Sequence, residues 1–101
     1  TFHMAIDEKN IADAYKKTGS KLNHTHMADS NRAAPGQGHT DFIPILQTLK
    51  DINFSGYVTM ELIPAASDPF ACIREGGAEE FKNKYTELSI KHLKTIESNL
   101  S

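Results

Sequence analysis

The chain has 101 residues, 11 of them Lys or Arg and 13 Asp or Glu, for a net charge of −2 with histidines neutral. Lys and Arg are scattered and form no basic face, so nucleic acid is not an expected partner. The single cysteine, Cys72, excludes an internal disulfide and a zinc-finger spacing. No apolar run approaches the roughly 20 residues of a membrane span, and a reducing, cytoplasmic setting is expected.

The chain opens at Thr1-Phe2-His3-Met4 without an initiator Met, as if cut through the end of an earlier strand. Asp7 can cap a helix to about Thr18, with Ile6, Ile11, Ala14 and Tyr15 as its packed stripe and Gly19 as its stop. From Lys21 to Met27 the residues alternate as in a strand, with Leu22, His24 and His26 on one face and Asn23, Thr25 and Met27 on the other. Ala28 to His39 is rich in Asp, Ser, Asn, Pro and Gly and reads as a long loop. Within it, Asp29 and Asn31 are expected to bond the loop backbone, and Gly36 and Gly38 to serve turn geometry. Thr40 or Asp41 caps a helix to about Asp51, where Pro44 is tolerated in the first turn and Phe42, Ile45, Leu46 and Leu49 form the apolar face.

Asn53 to Gly56 makes a turn into a strand over Tyr57–Leu62. Val58, Met60 and Leu62 share one side, and Tyr57, Thr59 and Glu61 the other. A loop over Pro64–Gly77 then leads to an amphipathic helix, Ala78–Leu100, carrying Phe81, Tyr85, Leu88, Leu93 and Ile96. His39, His92 and Arg74 read as surface residues and Cys72 as packing. The order, strand remnant then helix, strand, helix, strand, helix, predicts an α/β protein with a parallel sheet.

Two complete strands cannot by themselves make a parallel sheet covered on both faces. A whole (β/α)8 barrel needs about 250 residues, so the chain reads as the C-terminal part of one barrel domain spanning 1–101. Its open edges are expected to be met by a missing N-terminal part or by further copies of the chain, as a homo-oligomer. In such a barrel the strand ends converge on one face, which would bring His26 and Glu61 to a single cavity.

The run His26-x-x-Asp29-Ser30-Asn31-Arg32-x-x-Pro35-Gly36-x-Gly38-x-x-Asp41-Phe42, followed by Gly56-Tyr57-Val58 and the strand ending at Glu61, resembles the sugar isomerase/epimerase family of xylose-isomerase-like TIM barrels. Within it the pattern is most similar to the ketose 3-epimerases of the tagatose/psicose type. The resemblance covers nearly the whole chain, from the end of the family's sixth strand to its eighth helix. It implies one divalent ion, manganese, cobalt or magnesium, held by a Glu, an Asp, a His and a second Glu. His26 matches the ligand histidine and Glu61 the last glutamate, while the other two ligands would precede Thr1. His3 matches a substrate-binding histidine and Arg32 a substrate-binding arginine. On that basis the chain alone should be inactive.

The implied chemistry suits these residue types. Epimerising a ketose at C3 removes a proton next to a carbonyl and leaves an enediolate, whose charge a hard divalent cation stabilises. Glu61 can take or return that proton, and His3 and Arg32 can donate to the oxygen on which charge develops. Each residue also has an ordinary reading: His26 as a structural histidine, Arg32 as a loop arginine, His24 as a packed residue supporting the layer beneath the metal. Glu61 between Met60 and Leu62 needs a partner, a metal or an arginine. The competing functions are an apurinic-site endonuclease of the same fold, whose extra Asp-x-His pair is missing from the loop after His26, and a non-catalytic assembly piece.

Overall fold

The computed structural model describes residues 1–63 and 78–100. The Pro64–Gly77 loop with Cys72 and Arg74, and the side chain of Phe81, lie outside the described residues. The elements are α1 (Phe2–Asp7), α2 (Ile11–Thr18), a 3-10 turn (Gly19–Lys21), β1 (His24–Met27), α3 (Phe42–Asp51), β2 (Tyr57–Met60) and α4 (Ala78–Asn99).

The opening of the chain differs from the expected strand remnant. Thr1 alone lies along the sheet: its amino group donates to His26 O at 2.7 Å, and its hydroxyl donates to Ala28 O at 2.7 Å and accepts from Ala28 N at 3.1 Å. Successive carbonyls of a strand point to opposite sides, and Met27 O accepts from Glu61 N, so Thr1 occupies the edge of β1 away from β2. Phe2–Asp7, including His3, is helical because Thr1 O accepts from Ala5 N at 2.9 Å and Met4 O from Glu8 N at 2.8 Å.

Asp7 therefore ends one helix instead of starting the next. Glu8 is extended, and Asn10 caps α2 by accepting from Asp13 N at 3.0 Å. With Glu8 extended, Asn10 takes the capping role expected of Asp7. Ile6 falls on the outer side of α1 and is 70% exposed, unlike the packed residue expected. Gly19 stops α2 as foreseen, at φ +54. The 3-10 turn that follows delays β1 to His24, which frees Leu22 from the strand face and packs it against the core.

α3 forms as read, with Asp41 accepting from Ile43 N at 3.0 Å. Phe42, Ile45 and Leu49 are buried against Tyr15, Met27 and Leu93, with Leu46, Met60 and Ile96 around them. Among the described residues the sheet has two parallel strands, with His24 opposite Tyr57, Thr25 opposite Val58, His26 opposite Thr59 and Met27 opposite Met60. Thr25 and Met27 are buried on the helix side, where the buried Tyr15 and Thr25 hydroxyls bond each other. Burial pushes the Tyr15 phenol above its ordinary pKa, against the opposing effect of the Thr25 bond. The other face carries His24, His26, Thr59 and Glu61, all exposed.

On α4, Leu93 is buried and Tyr85, Leu88 and Ile96 half-buried. His92, read as a surface residue, is also half-buried: its ring meets Phe42 edge to face at 6.3 Å and lies under Gly36. Among the described residues no helix is long and apolar enough to cross a membrane.

Candidate active site at the strand ends

The loop after β1 is built around Asp29, which is fully buried. Its carboxylate accepts from the backbone N–H of Ser30 at 2.7 Å, Gly36 at 2.8 Å and Thr40 at 2.9 Å. Burial alone pushes this carboxyl up, and the N–H groups of Thr40, Ser30, Gly36 and Gly38 together outweigh it and hold the pKa below its ordinary value. Asn31 bridges the loop in the same manner, donating to Gln37 O at 2.9 Å and accepting from Ala33 N at 3.1 Å. Gly36 sits at φ +99, and Gly38 passes so near Asp29 that a Cβ there would lie 2.5 Å from Oδ1. The expectation that these residues shape the loop holds.

This loop presents Arg32 at φ +63, a left-handed conformation uncommon outside glycine, secured by Arg32 N donating to Asp29 O at 2.8 Å. Arg32 O in turn accepts from Ile63 N at 3.0 Å, and Met27 O accepts from Glu61 N at 3.0 Å. Glu61, one residue past β2, is thus held between two backbone bonds to the segment that carries His26 and Arg32.

The side chains follow from that frame. His26 Nδ1 lies 3.4 Å from Glu61 Oε2, and Arg32 Nη2 lies 3.9 Å from Glu61 Oε1. Arg32 also stacks on Phe2, its guanidinium carbon 5.1 Å from the ring centroid. The Arg32 Nε is shut off from solvent and has no hydrogen-bond partner among the described residues. His26 and Glu61 are each half-exposed on an open cleft of about 930 Å3, whose lining includes Thr1, His3, Met4 and His24.

Of the residues singled out in the sequence, His26, Glu61 and Arg32 come together. His3 borders the same cleft from α1, exposed, with its ring against Phe2 at 5.2 Å. His24 is not packed as expected, because the sheet face it occupies is open to the cleft. Phe2 and Thr59 were missed; for Thr59 the available signal was its place two residues before Glu61 on the same strand face.

An imidazole nitrogen and a carboxylate oxygen this close can serve as two donors of one divalent cation. Among the described residues no third His, Cys, Asp or Glu joins them.

The family described as Xylose isomerase-like TIM barrel matches residues 1–96, and the chain belongs to it. D-psicose 3-epimerase of Enterocloster bolteae is 48% identical over 61 residues, 60% of this chain and 20% of that protein. 3-Dehydro-D-guloside 4-epimerase of Escherichia coli is 38% identical over 74 residues, 73% of this chain and 28% of that protein. A crystal structure of D-psicose 3-epimerase with D-tagatose from Clostridium cellulolyticum superposes with a TM-score of 0.75 at 26% identity, covering 94% of this chain and 35% of that one. These relatives are carbohydrate epimerases, and the chain spans a fifth to about a third of their length.

Proposed function

We propose that the protein carrying this chain is a metal-dependent ketose 3-epimerase, and that residues 1–101 form the C-terminal part of its single barrel domain. His26 and Glu61 hold one divalent ion, Glu61 exchanges a carbon-bound proton, and His3 and Arg32 bind the sugar. The observation that carries this reading is the placement of the Glu61 carboxylate between His26 at 3.4 Å and Arg32 at 3.9 Å. The names of the relatives support it: a 3-epimerase of a 2-ketose and a 4-epimerase of a 3-ketosugar both invert a carbon next to a carbonyl.

When bound, the ion supplies electrostatic stabilisation of the oxyanion that develops as the proton leaves. Glu61 takes that proton from C3 on its own face of the sugar and returns one in the reverse reaction; a carboxylate from outside this chain serves the other face. Arg32, whose Nη2 lies 3.9 Å from Glu61 Oε1, brings a preorganised guanidinium toward the substrate, the type of donor that stabilises developing oxygen charge. Phe2 beneath its guanidinium limits the positions it can take. The chain by itself supplies part of the ligand set and is inactive alone, working with the rest of the barrel in a cytoplasmic enzyme.

Incubation of the whole enzyme with a ketohexose in heavy water tests the reaction type. Deuterium at C3 of substrate and product, lost in Glu61→Gln, is the expected result. Exchange confined to C1 points to an aldose–ketose isomerase and overturns the proposal.

A further inference from the structure

The open face of the sheet carries a second histidine to which the proposed reaction gives no task. His24 lies two residues before His26 on the same face of β1, one pleat farther from the strand end, and is exposed in the cleft. Its Nε2 is 3.0 Å from Thr59 Oγ1, a hydrogen bond that crosses from β1 to β2. Thr59 is the residue directly opposite His26 in the parallel register. The His24 and His26 rings meet edge to face, with centroids 4.9 Å apart and planes at 69°. The His26 imidazole is therefore bordered by the His24 ring, which is itself moored to the strand that carries Glu61.

We propose that His24 is a positioning residue: moored by the Thr59 hydroxyl, its ring sets the angle at which the His26 imidazole faces Glu61. This inference rests on the reading of His26 and Glu61 as holders of a divalent ion. A half-exposed imidazole on an open sheet face can turn about both side-chain torsions, and a small rotation carries its nitrogen away from any point shared with Glu61. A ring held edge-on removes that freedom, provided the ring is fixed at its far end. The Thr59 bond supplies that fixing, and a purely apolar neighbour would not.

The test uses the whole enzyme with Mn2+ alone as the probe in an equilibrium titration, and the absorption spectrum of the Co2+ form as a report on ligand geometry. Thr59→Val keeps the shape of the neighbour and removes the mooring; His24→Phe keeps a ring and removes the bond. Each is expected to weaken Mn2+ binding by about tenfold or more, the usual effect of losing a partner that orients a ligand, and to change the Co2+ spectrum. His24→Gln, whose amide can reach the Thr59 hydroxyl but carries no ring, should weaken Mn2+ binding as well; wild-type affinity and spectrum in that variant would overturn the role given to the ring. His26→Ala is the control: wild-type Mn2+ affinity in that variant overturns the metal reading itself, independently of His24. If His26→Ala abolishes binding while Thr59→Val keeps wild-type affinity and spectrum, the positioning role is wrong. A lowered unfolding temperature with an unchanged spectrum in Thr59→Val also overturns it, since that is the mark of a merely structural bond. Should His24→Phe fail to fold, Thr59→Val decides alone.

Discussion

Replacing Asp29 by Asn exchanges one carboxylate oxygen for an NH2 group, and removes the charge, at the centre of the loop that carries Arg32. The Asn oxygen can take the place of Oδ1 and keep the bonds from Ser30 N and Thr40 N. Its amide NH2 then stands where Oδ2 accepted from Gly36 N at 2.8 Å, a donor facing a donor. A hydrogen bond to a charged group contributes about 1.5–3 kcal/mol, so Asp29→Asn should destabilise by about that amount. Asp29→Ala, which abandons every donor at once, should cost more. The assay is urea unfolding of the whole protein at neutral pH, read as a lower midpoint with unchanged slope.

Acid supplies an independent check on the same residue. The native carboxyl titrates below the ordinary 3.8 of the unfolded chain. Its contribution is therefore complete above that value and fades as pH falls through the lower native one, because the unfolded chain takes up its proton first. The gap between wild type and Asp29→Asn should be constant from neutral pH down to about 5 and narrow below 4. An Asp29→Asn protein with the wild-type midpoint, or a gap that widens in acid, would refute the cradle as described.

Gly38→Ala should reach the same cradle from the other side, since its Cβ would meet Asp29 Oδ1 at 2.5 Å and Ser30 Oγ at 2.8 Å; a loss of about 1–3 kcal/mol in the same unfolding assay is expected. His26→Ala or Glu61→Gln should strip the whole enzyme of its divalent ion by elemental analysis, whereas Met60→Ala should lower stability and leave metal content unchanged. Asn10→Ala should cost about 1 kcal/mol through loss of the α2 cap, seen as a lower unfolding midpoint with no change in metal binding.

What could be read from the sequence was whatever depends on residues close together in the chain. The Asp41 cap, the Phe42, Ile45 and Leu49 stripe, the two-residue alternation that separates His26 from Met27, and the bonding of the loop by Asp29 and Asn31 are all local. The start of the chain was misread because Thr1 can both border β1 and begin a helix, and nothing nearby says that one residue does both. Asp7 was read as the cap of α2, and no local signal placed the break at Glu8 that gives the role to Asn10. The His92 ring under Gly36 and the Phe2 ring under Arg32 join segments far apart in sequence, and no periodicity signals such pairs. The His26 and Glu61 pairing was legible only because two strand ends in a parallel sheet must lie side by side.

The backbone bond from Glu61 N to Met27 O gives the site a parity. One extra residue between Gly56 and Glu61 would turn the carboxylate to the helix side, among Met27 and Met60, and expel an apolar side chain into the cleft. Two extra residues would restore the face and carry Glu61 about 7 Å along the strand, out of reach of His26 and Arg32. In this short stretch, length is therefore held more tightly than composition, and a lineage could exchange many of its side chains before it could gain or lose a single position.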